Sequence, residues 1–406
     1  MGCRFCSGDV NLVFADLGFA PPSNAFLSKD DLDHPEKYYP LRAKVCESCW
    51  LVQTEDYTRE DELFNSEYVY FSSVSKSWVE HARKFSEEMI EKFYYDKSSY
   101  VIEIACNDGY LLKNFIKKDI PCLGIEPTES TAKIAKKLGI TVLQKFFTKE
   151  IAKNISITKK ANLVVANNVL AHVPNINDFC SGIAIVLSDD GVATFEFPHL
   201  LNLIKLCQFD TIYHEHYSYL SLSVVKRIFG SNGLKIFDVK KIDTHGGSLR
   251  VYACLASSGR EVMPSIDAIL AEEITLGITQ RKVYENFQNR VVDYKNEVLN
   301  FLLASKSSGL SVVGYGAAAK GNTLLNFAGI KEDLLPFVCD ENIYKQNKYL
   351  PGSHIPVYSP DILRGNPPDF LLIFPWNIKS EIIKNYSFLK TGGTKFVTFE
   401  PTYKEI

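Results

Sequence analysis

Residues 100–128 read YVIEIACNDGYLLKNFIKKDIPCLGIEPT, a strand, turn, helix and strand in succession. An apolar, β-branched run ends in a small-residue turn, an amphipathic helix follows, and a second short apolar run ends in Glu126 and Pro127. Strands that alternate with helices in this way build a mostly parallel sheet with helices on both faces. The alternation continues outward through STAKIAKKLG (130–139), ITVLQ (140–144), ANLVVANNVL (161–170) and GVATFEFP (191–198), to about Lys241. The fold class is therefore α/β, with a central Rossmann-like domain. Further on, LSVVGYGAAAKGNTLLNFAG (310–329) repeats the strand, turn and helix order, and LPFVCDEN (335–342) and DFLLIFPWN (369–377) add strands of a second α/β unit. Between the two units, residues 266–305 are polar and helix-favouring, with no Pro and no Gly beyond Gly277, and predict one or two long connecting helices.

Ahead of these units stand two C-x-x-C pairs, Cys3 with Cys6 and Cys46 with Cys49. A two-residue spacer lets neighbouring sulfurs converge on one ion, and two such pairs match a tetrahedral four-thiolate site. Four protein ligands fill the sphere, so the zinc is expected to be structural. The alternatives are unrelated thiols or a thioredoxin-like redox pair, and no thioredoxin-like strand precedes either pair. The other six cysteines, Cys106, Cys122, Cys180, Cys207, Cys254 and Cys339, are scattered in mostly apolar surroundings and read as core thiols. The expected organisation is a small zinc-binding domain over 1–70, a cofactor-binding domain over 71–265, a helical connector over 266–305 and a C-terminal α/β domain over 306–406.

In a chain of 406 residues, 46% hydrophobic content supplies real cores, and 45 Lys+Arg against 48 Asp+Glu leave no field that would draw a nucleic acid or an acidic membrane. The start, MGCRFCSGDVNLVF, lacks the regions of a signal peptide, and no apolar run reaches the ~18–20 residues of a membrane span. A cytoplasmic enzyme without nucleic-acid or membrane partner is expected, and three domains tied together by one ligand are compatible with a monomer.

In the central unit, the turn after the first strand brings Glu103, Ala105, Asn107, Asp108 and Gly109 to the carboxyl edge of the sheet, and Glu126 ends the next strand where it could take ribose hydroxyls. Asn167, Asn168 and His172 end a third strand at the same edge and could line a cofactor or substrate cavity. The G-x-G-x-x-G phosphate loop is missing here, and the order of acidic turn, acid and polar strand end fits S-adenosylmethionine better than a dinucleotide. FDTIYHEHYSYLS (209–221) is the densest chemistry, with Tyr213, His214, Glu215, His216, Tyr217 and Tyr219. On an extended segment Tyr213, Glu215 and Tyr217 would share one face and the two histidines the other, and a turn would break that sorting. His is the usual general base near neutral pH. In THGGSLRVY (244–252), His245 and paired glycines precede Arg250, which could answer a phosphate or carboxylate.

Together these residues resemble the S-adenosylmethionine-dependent nucleotide-sugar C-3 methyltransferases. The resemblance rests on CRFC, CESC, YVYFSS, EIACNDGYLL, GIEPT, NNVLAHV, YHEHYSYLS, THGGSLRVY, GYGAAAKGNTLLN, KYLPGSHIPV and PWN, in that order along the chain. It implies a nucleoside-diphosphate 4-keto-deoxysugar as substrate and a branched-chain sugar as product. It also implies that His216 removes the C-3 proton to give an enolate that takes the methyl, while Tyr213, Glu215 and His172 orient the sugar or stabilise the ketone oxygen. Tyr68 or Tyr70 would close over the sugar. Glu103, Ala105, Asn107, Asp108, Gly109, Glu126, Pro127, Asn167 and Asn168 would hold the cofactor, and His245, Arg250, Tyr315, Gly316, Lys320, Asn322 and Asp340 the nucleotide sugar. The chain departs from the family pattern at Ala105, where the loop usually has Gly; Ala does not take positive φ cheaply.

Two other classes stay open. Gly314, Gly316 and Gly321 approximate a dinucleotide loop, with the third Gly two residues late for G-x-G-x-x-G, so an NAD-dependent nucleotide-sugar dehydrogenase or epimerase is the alternative. A catalytically silent scaffold is the other, and the YHEHY cluster argues against it.

Overall fold

Three antiparallel strands bring the two cysteine pairs of the N-terminal module together. In the computed structural model, which describes residues 2–57, 71–399 and 403–405, these are β1 (Leu12–Ala20), β2 (Tyr39–Val45) and β3 (Val52–Thr54). In β2 the pleat sends Leu41, Ala43 and Val45 into the core and Arg42 and Lys44 outward, the period-two pattern of a half-buried strand. Tyr68 and Tyr70 lie outside the described residues.

Helix α1 (Lys76–Phe93) leads into the central unit; Ser75 caps it by accepting from the Trp78 amide, and it ends at Tyr94 in left-handed conformation. The chain then alternates as its sequence predicts: β4 (Val101–Ile104), α2 (Leu112–Ile116), β5 (Cys122–Ile125), α3 (Glu129–Lys137), β6 (Thr141–Leu143), α4 (Lys149–Thr158), β7 (Ala161–Val165), α5 (Ile176–Val186) and β8 (Leu187–Pro198). After α6 (Leu200–Leu206) comes a short strand, β9 (Ser218–Tyr219), then α7 (Leu222–Ser231), β10 (Leu234–Ile242) and β11 (Ser248–Leu255). The seven-stranded sheet has the order β10-β11-β8-β7-β4-β5-β6, parallel from β8 to β6, with β11 antiparallel to both its neighbours. Strand β4 is buried along its whole length, as a strand covered on both faces must be. β9 does not join this sheet; it pairs with β3 and completes the N-terminal sheet as β1-β2-β3-β9.

The connector holds three helices rather than one or two: α8 (Ser265–Leu276), α9 (Arg281–Glu285) and α10 (Phe287–Ser307). Gly277, at φ 85°, accounts for the first break by ending α8 in a left-handed cap. The C-terminal unit follows with β12 (Val312–Tyr315), α11 (Ala319–Ala328), β13 (Val338–Cys339), β14 (Val357–Tyr358), β15 (Phe370–Ile373), β16 (Lys395–Phe399) and β17 (Tyr403–Glu405). Its six-stranded sheet runs β14-β13-β12-β15-β16-β17, parallel except at β17. No helix among the described residues is long and apolar enough to cross a membrane.

Candidate active site

Each parallel sheet changes its winding direction once, and a crevice opens there, outside the carboxyl ends of the strands. In the central sheet the change lies between β4 and β7; in the C-terminal sheet it lies between β12 and β15. Both crevices contribute to one cavity of about 780 Å³, with Ala105, Asn107, Glu126 and Asn168 from the first and Ala318, Lys320 and Asn377 from the second. That volume is at the upper end of what ligand sites use, ~300–1,000 Å³.

The loop after β4 is held by its neighbours. Glu126 accepts from the Asn107 amide at 2.9 Å and the Thr128 amide at 3.0 Å, one on each carboxylate oxygen. Burial pushes the Glu126 carboxyl up. The Asn107 and Asp108 side chains accept from the amides of Ser72 and Ser73, at 2.9 and 3.0 Å, and so dock the lead-in to α1 against the loop. Trp78, in the first turn of α1, thereby reaches the cavity wall. The loop does need left-handed backbone: Ala105 stands at φ 55° and Asn107 at φ 50°.

Opposite this loop, a turn at residues 214–215 places Tyr213, Glu215 and His216 together on the cavity wall. The predicted alternation is thus corrected, because the turn removes the pleat that would have sorted the side chains. His214 is turned away and buried against Tyr39, ring centroids 6.0 Å apart. His216 Nδ1 lies 2.8 Å from the Thr211 carbonyl. A carbonyl accepts and never donates, so Nδ1 carries the hydrogen and Nε2 the lone pair. The same logic fixes His172, whose Nδ1 donates to the Glu215 carbonyl at 2.7 Å. The two rings stand 4.6 Å apart, and Tyr213 packs on His216 at 4.0 Å. Burial, with the neighbouring His172 ring, holds His216 well below an ordinary imidazole, and burial pulls His172 down to about 4. Both are neutral near pH 7. Glu215 is raised to about 7 by burial, against the pull of the Asn24 amide and the Lys345 charge; Asn24 Nδ2 lies 2.8 Å from both of its oxygens.

The third wall is electropositive. Helix α11 begins at Ala318 without a side-chain cap, and Ala319 and Lys320 of its first turn face the cavity. Uncapped amide groups at a helix start favour anions. Lys320 Nζ donates to Asn377 Oδ1 at 2.8 Å and sits 3.7 Å above the Trp376 ring, while Lys345 Nζ donates to the Ala317 carbonyl at 2.8 Å.

Comparison with known proteins bears on this arrangement. Among solved structures, the magnesium protoporphyrin IX methyltransferase ChlM of Synechocystis PCC 6803, determined with bound SAM, aligns with 44% of this chain and 79% of its own at 14% identity and a TM-score of 0.34. The PH0226 protein of Pyrococcus horikoshii OT3 aligns with 46% and 95% at 11% identity and a TM-score of 0.38. Three family models match: a zinc binding domain over residues 3–64, a methyltransferase domain over 78–239 and a C-methyltransferase C-terminal domain over 243–401. The C-methyltransferase NovU of Streptomyces niveus is 34% identical over 393 residues, 96% of this chain and 93% of NovU. The chain belongs to the C-methyltransferase family. It is the S-adenosylmethionine-dependent family to which the sequence motifs pointed.

In this C-methyltransferase the sequence-predicted residues divide. The structure brings His216, Tyr213, Glu215, His172, Ala105, Asn107, Glu126, Pro127, Asn167, Asn168, His245 and Lys320 to the one cavity. Others lie behind its wall. Gly109, at φ 81°, sits so close to Ile140 that a Cβ would meet it at 2.4 Å, so it serves helix packing. Glu103 is buried beneath the loop, its carboxyl raised well above the usual range by burial and by Asp108 and Glu126. The reading of Arg250 as a ligand partner is corrected: its guanidinium is buried on the protein's own carboxylates, Glu196 at 2.6 Å and Glu88 at 2.9 Å. The paired glycines beside it likewise make room for protein, since a Cβ at Gly246 would meet Trp376 at 2.5 Å and one at Gly247 would meet Asn202 at 2.3 Å. Asp340 braces backbone, accepting from the amides of Ala317 and Asn342 at 2.7 and 2.8 Å. Asn322 donates to the Ser23 carbonyl at 2.6 Å, Tyr315 packs on Tyr386 at 4.9 Å, and a Cβ at Gly316 would strike Pro375 at 2.3 Å.

The wall also holds residues that sequence reasoning missed, notably Asn24, Trp78, Lys345 and Asn377. Asn377 had a signal, since it closes the PWN motif. Asn24 and Lys345 had none, because what distinguishes them is a contact with residues far along the chain.

The zinc site is built as its spacing predicts. The sulfurs of Cys3, Cys6, Cys46 and Cys49 all lie within 4.8 Å of one another, with Cys3–Cys49 at 3.5 Å and Cys6–Cys46 at 3.6 Å. Tetrahedral zinc with ~2.3 Å bonds to sulfur sets sulfurs about 3.8 Å apart, so the four thiols fit the ion. Each knuckle is followed by a non-glycine residue in left-handed conformation, Ser7 at φ 61° and Trp50 at φ 65°. The two turns thus share one strained geometry, which the four metal bonds would hold in place.

Proposed function

We propose that this C-methyltransferase acts at carbon 3 of a nucleoside-diphosphate-linked 4-keto-deoxysugar, in the making of a branched-chain sugar. One observation carries the reading: a neutral imidazole, His216, locked as the Nδ1–H tautomer, on the wall of a cavity shared by two sheet crevices. S-adenosylmethionine, when bound, supplies an electrophilic methyl, and Ala105, Asn107, Glu126, Pro127, Asn167 and Asn168 line the crevice that would hold it.

A ketone at carbon 4 acidifies the C–H at carbon 3, and His216 Nε2 takes that proton. The imidazolium so formed keeps Nδ1–H on the Thr211 carbonyl, which fixes the ring as it charges. Negative charge then gathers on the ketone oxygen, where a donor matters more than in the ground state. Tyr213 has a hydroxyl to donate, and protonated Glu215 has another. His172 is assigned a different part: its neutral Nε2 accepts, so it orients a sugar hydroxyl. Lys320, Lys345 and the start of α11 answer the diphosphate. This carries a division of labour, with residues 1–70 binding zinc, 71–265 the methyl donor, 266–305 connecting, and 306–406 contributing to the nucleotide sugar.

The dinucleotide alternative is weakened by the C-terminal glycines themselves. A Cβ at Gly314 or Gly321 would meet Phe374 at 2.7 or 2.9 Å, so these residues admit a phenylalanine rather than a pyrophosphate. Calorimetry with S-adenosylhomocysteine and NAD, each with thymidine, guanosine or cytidine diphosphate, separates the two. Uptake of the homocysteine adduct without NAD is expected, and His216→Asn should bind it normally while losing turnover about 1,000-fold. NAD uptake alone, or full activity in His216→Asn, would overturn the reading.

A further inference from the structure

The turn that carries Tyr213, Glu215 and His216 has no helix or strand of its own, yet it is clamped from outside at both ends. The Thr323 hydroxyl, from α11, donates to the Ile212 carbonyl at 2.9 Å. The Thr54 hydroxyl, from β3 of the zinc-binding sheet, donates to the His216 carbonyl, also at 2.9 Å. Both threonines are 2% exposed. Inside the turn the His216 amide bonds to the Tyr213 carbonyl, and three of its carbonyls bond outward: Glu215 in the middle, to His172 Nδ1, and Ile212 and His216 at the two ends, to the threonines.

A threonine inside a helix ordinarily turns its hydroxyl back to the carbonyl four residues earlier. Thr323 lies within α11 and instead reaches a segment more than a hundred residues away, |i−j| = 111. Thr54 ends β3, where strand pairing through Ala43 already holds its backbone, and its hydroxyl reaches the base's own residue across |i−j| = 162. Two hydroxyls, one from strand β3 and one from helix α11, fix the two ends of one five-residue turn. The ring of that turn's histidine is bonded to Thr211, immediately before the first clamped carbonyl. Displacing either end therefore moves the ring and its anchor relative to each other.

We infer that Thr54 and Thr323 are positioning residues for the base, acting through the backbone of Ile212–His216 rather than on the substrate. The inference rests on the reading of His216 as base. Proton transfer is steep in distance, and a displacement of ~1 Å can lower a rate ~100-fold. Each threonine has an isostere that tests this. Valine keeps shape and branching and removes the hydroxyl; serine keeps the hydroxyl and removes the methyl.

The experiment measures kcat, KM and S-adenosylhomocysteine affinity for Thr54→Val, Thr323→Val and the two serine variants. The substrate is whichever of the thymidine, guanosine and cytidine diphosphate 4-keto-6-deoxyhexoses the wild type turns over. It also follows exchange of the hydrogen at carbon 3 for deuterium in D2O with S-adenosylhomocysteine bound, which reads proton removal alone. Each valine variant should lose about tenfold in kcat and in exchange rate, with KM and affinity unchanged, and serine should restore most of both. Should a valine chain not fold, cysteine, a weak donor of similar size, should give an intermediate exchange rate. Wild-type exchange in the valine or cysteine variants, while His216→Asn exchanges nothing, overturns the clamp alone. Wild-type exchange in His216→Asn brings down the base assignment and the clamp with it.

Discussion

Burial shifts the three histidines on the cavity wall, His172, His216 and His245, downward and the two glutamates Glu126 and Glu215 upward. His216 is held well below pH 6.5 by burial and by the ring of His172, so its base form persists where an ordinary histidine would be half protonated. Glu215 runs the other way, raised by burial to about 7 despite Asn24 and Lys345. Below that pH it is a neutral donor; above it, an anion faces the place where enolate charge would gather. The rate should therefore hold as the pH falls through 6.5 and decline as it rises through about 7. Glu215→Gln, which cannot ionise, should lack the second change, and a wild-type pH–rate profile still climbing at higher pH would contradict this. At Ala105 the question is steric. A left-handed alanine at φ 55° costs about 1 kcal/mol that glycine does not incur. Ala105→Gly is expected to stabilise the protein by somewhat less than that in urea denaturation, whereas at an ordinary backbone position the same change destabilises. The residue types of the site were legible because histidine, tyrosine and carboxylate cluster within one short segment. Their directions were not, since a turn between residues 214 and 215 is enough to bring Tyr213 and His216 to one wall.

The elements themselves were readable from period and punctuation, and what escaped was how distant ones lock together. Helix α1 shows why. Its His81 and Glu88 reach a buried pair on the central sheet: His81 Nε2 lies 2.8 Å from Glu196, Arg250 joins Glu196 at 2.6 Å and Glu88 at 2.9 Å, and Tyr252 donates to Glu88 at 3.1 Å. Burial pushes Glu196 up, but His81 and Arg250 outweigh it and hold the carboxyl below its usual range. No local pattern announces such a network, because Glu196 sits in β8, Arg250 in β11 and Glu88 in a helix that precedes both. For the same reason THGGSLRVY reads as a ligand turn when taken alone. Arg250→Leu leaves Glu196 fully buried without its cation, and a loss of about 3–5 kcal/mol follows from removing one partner of such a pair. A denaturation midpoint close to wild type would mean the arginine is dispensable to the lock. Trp78, stacked on His81 at 4.9 Å, should lose its place on the cavity wall in the same variant, which its fluorescence would report.

On the scale of the whole molecule, two sheets with the same winding change present their crevices to one cavity, and the zinc-binding sheet braces the turn between them. β3 pairs with β9, immediately after that turn, through Val52 with Tyr219 and Gln53 with Ser218. Arg4, inside the first cysteine knuckle, donates to the carbonyls of Pro174 and Thr54 at 3.0 and 2.9 Å and lies 5.2 Å over the Tyr217 ring. The metal thus secures a knuckle that is itself in contact with the segment that carries the proposed base. The four-thiolate site was legible from spacing, but not this connection, since pairing between β3 and β9 spans most of the central unit. The loop after β4 belongs to a different sheet and depends on Glu126, Ser72 and Ser73 rather than on the cysteines. Stripping zinc with a chelator, or replacing Cys46 by serine, should therefore abolish turnover while S-adenosylhomocysteine still binds calorimetrically, with metal analysis falling from one zinc per chain to none. Loss of homocysteine-adduct binding in step with zinc would show that the metal supports the central sheet as well. Full turnover without zinc would show that β9 holds the turn of His216 without help from the knuckles.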